Sequence, residues 1–213
     1  MASRFRISAL LLAMLVLSLL PSAKVQAKEP INNLPNFPLF VESIKDGNAD
    51  SLRGVYVASK MAFTIVQQPI GNPGFVAATT STVTQFSMAS EVGNLGLLAH
   101  NYLAGANFSL LEAGDTIFLV YGDGHTQSFI VEEILQYQAT SPLSPTSNFN
   151  SISNDEFLTA EGLFDKVYRG DFHLTLQTCI EKDGELSWGR LFIIAKPKLI
   201  KSHDFLSQLL VQY

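Results

Sequence analysis

The chain has 213 residues, 47% of them hydrophobic and 15% charged, with a formal net charge of −5. That mixture is globular, with length for one domain and apolar residues enough for a sizeable core. Mild acidity without any run of Lys or Arg excludes a nucleic-acid binder working through charge, because phosphate recognition needs a concentrated basic patch.

The first residues carry Arg4 and Arg6, then an apolar stretch from Ile7 to Leu20, then small residues at Val25 and Ala27. This is the layout of a secretory signal peptide over residues 1–27, cleaved after Ala27. The stretch is shorter than the roughly 18 apolar residues a membrane-spanning helix needs, with an uncleaved anchor as the alternative. Either way the protein is expected to be exported, to the extracellular space or the outer face of the cytoplasmic membrane. Residues 28–53 form an N-terminal arm. Pro30, Pro35 and Pro38 with Asn32, Asn33 and Asn36 make its first part a linker or extended segment, and Phe40 to Ser51 admits one short helix.

From Gly54 the pattern is mostly β. Val55 and Val57, then Phe63, Ile65 and Val66, give two short runs before the turn-rich Pro69, Gly71, Pro73 and Gly74. Thr79 to Val83 reads as extended, and Leu95 to His100 as a compact apolar strand. Thr116–Tyr121 and Thr126–Leu135 flank Gly122-Asp123-Gly124-His125, the clearest hairpin signal in the chain. Ala139 to Asn154 is a Ser/Pro/Thr/Asn loop, followed by a helix over Asp155 to Val167 with Asn154 as its N-cap. Phe172–Ile180 and Arg190–Lys196 are strands around a Lys182-Asp183-Gly184 turn, and residues 197–213 are a tail. Short, closely spaced strands predict an all-β barrel or sandwich with one helix-bearing excursion, and no internal repeat is present.

Cys179 is the only cysteine. Exported proteins normally pair their cysteines, so a solitary one is a buried passenger, a bridge to another chain, or a thiol kept for reactivity. A nucleophilic cysteine needs its thiolate and therefore a cationic or basic neighbour. His125 lies in the hairpin turn and His203 in the tail; His173 is six positions before Cys179 and shares its strand face. His100 ends a strand and opens a loop, where catalytic groups concentrate. Arg190 opens the strand after Cys179 and stays charged at every relevant pH, able to hold a carbonyl or an oxyanion.

These residues resemble a known family. Thr175-Leu176-Gln177-Thr178-Cys179 matches the sortase pattern Thr-Leu-x-Thr-Cys at every defined position, and Arg190-Leu191-Phe192-Ile193-Ile194-Ala195 resembles the arginine-bearing strand that follows it. Leu97-Leu98-Ala99-His100-Asn101 looks like the strand end carrying the sortase histidine. Phe108-Ser109-Leu110-Leu111 and Gly114-Asp115-Thr116-Ile117 resemble the segment leading to the next strand, so the likeness covers residues 54–196. The chain departs from the pattern at Asn101-Tyr102, where many members carry Arg-Asp.

The resemblance implies an all-β, eight-stranded sortase barrel with short helices in the connections. It implies a cysteine transpeptidase in which Cys179 attacks a C-terminal sorting signal of secreted proteins, His100 protonates the departing amine and Arg190 steadies the oxyanion. The thioester would pass to an amine acceptor such as a cell-wall precursor or a pilin lysine. The segment from Tyr137 to Gly170, with Leu143, Phe149, Ile152, Leu158 and Leu163, would shape the signal-binding groove. No cofactor is expected; some sortases use calcium, but Glu132, Glu133, Asp155 and Glu156 do not assemble a recognisable site in the sequence. The competing expectations are a cysteine peptidase that only hydrolyses and a catalytically silent binding module.

Overall fold

The computed structural model describes residues 34–198. The signal-peptide segment and His203 lie outside the described residues. Ten strands carry the fold: β1 (Leu52–Val57), β2 (Met61–Gln67), β3 (Thr82–Gln85), β4 (Leu95–Leu98), β5 (Thr116–Tyr121), β6 (Thr126–Ala139), β7 (Phe149–Ser151), β8 (Phe157–Leu158), β9 (Leu174–Lys182) and β10 (Glu185–Pro197). Eight of them run in the order β10-β9-β4-β3-β2-β1-β5-β6, and a β10–β6 pairing closes the ring. The pairs β2–β3 and β4–β9 are parallel and the remainder antiparallel. The expected eight-stranded barrel is therefore present, with β7 added on the far half of β6 and β8 on β7.

Alternation along the strands fills the barrel. On β9, Leu174 and Leu176 point inward; on β10, Leu191 and Ile193 do so, and they pack against Val55, Met61 and other residues of the central cluster. A 3-10 helix, Ala104–Leu110, drives Phe108 into this interior, where it is fully buried.

Two outer faces are covered by helices. Helix α1 (Phe37–Ile44) begins inside the segment expected to be extended, because the Asn36 side chain accepts from the Leu39 amide and Pro38 fits a helical first turn. Phe40 of α1 packs with Tyr56 and Val120 across β1 and β5. Gly54 permits that approach, since a Cβ there would collide with Ile44 and Phe40. The second face, formed by β9, β10, β6 and β4, is covered by α2 (Ser87–Glu91) and α3 (Ala160–Tyr168), with Leu163, Val167 and Tyr168 packed on Phe192 and Tyr137.

Two expectations are corrected. The helix of the excursion starts at Ala160 rather than Asp155, because Thr159 is its cap and accepts from the Gly162 amide at 3.1 Å. Asn154 instead closes a local turn by accepting from the Glu156 amide at 3.0 Å. Arg190 lies inside a strand rather than at its start. Asp183 and Gly184 both take positive φ, 53° and 85°, which makes a two-residue hairpin turn and lets β10 resume at once at Glu185.

Candidate functional site

The strand register brings two of the three expected residues side by side. Cys179 of β9 and Arg190 of β10 are Cα partners, and Arg190 is in turn the Cα partner of Tyr137 on β6. Beside Cys179 on its other flank runs β4, whose pairing with β9 ends at Leu98 opposite Gln177. The ladder continues one step further, as the Ala99 amide donates to the Gln177 carbonyl at 3.2 Å. His100 is the next residue, so it leaves the sheet beside Cys179. Leu97 and Ala99 belong to the interior cluster, which puts His100 on the outer parity with Leu98. Cys179 and Arg190 have the same parity, because Leu176, three residues before the first, and Leu191, next to the second, face inward.

The Thr-Leu-x-Thr-Cys run has a physical reason at each position. The Thr175 hydroxyl donates to the Val167 carbonyl at 2.6 Å, tying β9 to the last turn of α3. Leu176 is fully buried in the barrel. The Tyr168 hydroxyl donates to Gln177 Oε1 at 2.6 Å. The Thr178 hydroxyl donates to the Ala99 carbonyl at 2.9 Å, pinning β9 to the backbone immediately before His100. The chain then turns sharply, with the amides of Leu103 and Gly105 both donating to the His100 carbonyl at 3.0 Å. Gly105 has no substitute there: a Cβ would strike the Thr178 hydroxyl and the carbonyls of His100 and Ala99.

All three candidate side chains are partly accessible. The His100 ring stacks on Tyr102 with centroids 5.1 Å apart. Arg190 is oriented by its own hairpin, since its Nη1 donates to the carbonyls of Ser187 and Gly189 at 2.9 and 2.8 Å. That uses both protons of Nη1 and leaves Nε and Nη2 as donors. Asn101 donates from Nδ2 to the Leu186 carbonyl at 2.9 Å, joining the loop after His100 to the hairpin before Arg190.

Two cavities lie near these residues, Arg190 lining one and Cys179 the other. One, of about 390 Å³, is lined by Arg190, Gln177, Leu98 and Phe192 on the sheet, with Phe164 of α3 and Phe149 of β7 above it. The other, of about 380 Å³, is lined by Cys179, Thr178, Asn101, Tyr102, Glu181 and Leu186. Of the groove residues read from the excursion, Phe149 and Leu163 line the first cavity. Leu143 and Ile152 are exposed instead, and Leu158 packs at the edge of the α3 cluster.

The other described histidines are otherwise engaged. His173 shares the outer parity of β9 but is buried, with Nδ1 2.7 Å from the Asp171 carbonyl and Nε2 3.0 Å from that of Val167. His125 sits in the β5–β6 turn, stacked on Tyr121 with its Nδ1 2.6 Å from Asp123. Among the described residues, no group of three or more His, Cys, Asp or Glu side chains is placed to hold a metal ion. Glu156, weighed in the sequence as a calcium ligand, is held by Lys166 at 2.7 Å and by the Tyr137 hydroxyl at 2.8 Å. That ammonium, then the tyrosine hydroxyl, keeps its carboxyl below the usual range.

Sequence reasoning did not single out Gln177 or Tyr168. The only signal was the undefined position of the Thr-Leu-x-Thr-Cys run, whose partner nine residues upstream comes from a separate helix.

No protein-family model matches the chain. No curated protein sequence matches it either. Among solved structures it is similar to sortase C-1 from Actinomyces oris, at 14% identity and a TM-score of 0.48 over 79% of this chain and 84% of that one. It is similar to sortase C1 from Streptococcus suis at 13% identity and TM-score 0.47, over 78% and 80% of the two chains. Listeria monocytogenes sortase A gives 15% identity and TM-score 0.44 over 74% and 94%. Likeness at this level says nothing about the chemistry of this chain.

Proposed function

We propose that this protein is a sortase-type cysteine transpeptidase. The observation that carries the reading is the cross-strand pairing of Cys179 with Arg190 on the outer face, with His100 leaving the sheet on the other side of the cysteine. One row then holds a nucleophile, an acid–base group and a permanent cation, in the order acyl transfer needs.

In this mechanism the Cys179 thiolate attacks the carbonyl carbon of a backbone amide in a sorting signal bound along the cavity that Arg190 lines. The free donors of Arg190 steady the substrate carbonyl and the oxyanion that replaces it. Collapse of the tetrahedral intermediate breaks the C–N bond, and His100 protonates the departing amine. A thioester on Cys179 remains. An incoming primary amine from a cell-wall precursor or a pilin lysine attacks it, passes a proton to His100 and releases the Cys179 thiolate, ready for the next cycle. No metal or organic cofactor takes part. Export and work outside the cytoplasm, with the N-terminus as leader or anchor, belong to the same proposal; among the described residues no helix is long and apolar enough to cross a membrane.

The test is product analysis with randomised peptides, with and without an added primary amine. New peptide–amine conjugates that vanish in Cys179→Ala are the expected result. Cleaved peptides without conjugates would replace the reading by a hydrolysing peptidase. A native Cys179 inert to iodoacetamide, with no turnover, would replace it by a silent binding module.

A further inference from the structure

We infer that Gln177 is a ligand-contacting residue, presenting its side-chain amide protons to a backbone carbonyl of an extended peptide bound in the Arg190 cavity. This rests on the acyl-transfer reading of the site. Gln177 stands two residues before Cys179 on the same face of β9, flanked by its Cα partners Leu98 and Phe192, and all three line the cavity.

The orientation of its amide follows from Tyr168. That ring is 2% exposed, and burial raises its hydroxyl's pKa, so the phenol stays protonated and its proton needs an acceptor. The contact to Gln177 is 2.6 Å, a length typical of O–H···O and short for N–H···O. Rotating the amide by half a turn would point its N–H protons at the phenol and strip the phenol proton of its acceptor. Oε1 is therefore committed to Tyr168, and Nε2 is left to the cavity side.

What the cavity then offers is specific. Its walls are largely apolar, from Leu98, Phe149, Phe164 and Phe192, while its floor carries the donors Gln177 Nε2 and Nε and Nη2 of Arg190. An extended peptide meets that demand. It supplies backbone carbonyls to the donors and side chains to the walls, and carbonyls two residues apart project the same way, as Gln177 and Cys179 do on β9.

The experiment uses a randomised library of N-acetylated hexapeptide amides, with hydroxylamine as the nucleophile and total peptide hydroxamate read by mass spectrometry. Two variants are compared with wild type. Gln177→Leu removes the donor, and Gln177→Glu removes it while keeping an acceptor for Tyr168, so the second preserves the internal hydrogen bond if the first fails to fold. We expect hydroxamate formation to fall by about tenfold in Gln177→Leu and by more in Gln177→Glu, as for a carbonyl left unpaired. Alkylation of Cys179 by iodoacetamide should stay within about twofold of wild type in a folded variant. Hydroxamate rates within about twofold of wild type in Gln177→Glu would overturn the role of Gln177 and leave the acyl-transfer reading standing. Absence of hydroxamate from wild type itself would overturn both.

Discussion

The barrel has two helix-covered outer faces, and they are built differently. Under α1 the sheet presents Tyr56, Phe118 and Val120, and the helix answers with Phe37 and Phe40, whose rings pack on Tyr56 at 5.1 and 5.6 Å. Under α3 the sheet presents Thr175, Gln177 and Arg190: Thr175 is fully buried against the helix's last turn, while Gln177 and Arg190 line a cavity of about 390 Å³ and Cys179 stands beside Arg190. Each polar group on the second face that turns away from the cavity has a partner, such as the Val167 carbonyl for Thr175. Burial on the first face contributes stability. The second gives some of that up, keeping thiol and guanidinium accessible on a sheet rigid enough to aim them.

Substitutions can break that contrast, beginning with the largest effect. Cys179→Ala should abolish peptide–amine conjugation outright while leaving the melting temperature unchanged; residual conjugation above the uncatalysed rate would place the nucleophile elsewhere. Arg190→Lys should lose roughly two orders of magnitude in conjugation, because an ammonium cannot replace the guanidinium fork. Near-normal rates there would end the oxyanion role. His100→Ala should slow acylation severely, by roughly 10²–10⁴-fold, as general acid–base groups contribute that much. An unchanged pre-steady-state burst would remove His100 from the mechanism.

The α1 face should respond in the opposite sense. Phe40→Ala is expected to cost about 3 kcal/mol of unfolding free energy in a urea titration and to leave the conjugation rate of the folded protein intact. Loss of activity in parallel would mean that the two faces are not independent. The smallest effect belongs to Glu156, which ties α3 to β6 through Lys166 and Tyr137. Lys166 chiefly, and then Tyr137, lower its pKa in the folded state. Its contribution is therefore present above the unfolded value of about 4.3 and is lost as pH falls through the lower folded value. Melting temperatures of wild type and Glu156→Gln should differ at pH 7 and converge on acidification; parallel curves would show that the pair contributes nothing.

Much of this was legible in the sequence because it is carried by local chemistry. Gly122-Asp123-Gly124 and Asp183-Gly184 set their hairpins, and the runs Phe172–Ile180 and Arg190–Lys196 were read as strands around the second turn. The three candidate residues were nominated by spacing and family likeness, and the register places Cys179 against Arg190. What stayed illegible depends on distant partners. Asn154 and Thr159 are both competent caps, and the strand pairing of Phe157 and Leu158 with β7 decides between them. Arg190 was expected to open its strand; in the fold β10 already runs from Glu185, and the carbonyls of Ser187 and Gly189 hold its guanidinium. The role of Gln177 needed Tyr168, which reaches it only through the packing of α3.

The most direct test of the central claim is intact-protein mass spectrometry of wild type after brief exposure to randomised peptides and an acid quench. The account predicts acyl adducts on Cys179 that neutral hydroxylamine removes and that Cys179→Ala never forms. Wild type that reacts with iodoacetamide at Cys179 yet accumulates no hydroxylamine-sensitive adduct, with no peptide consumed, would contradict it.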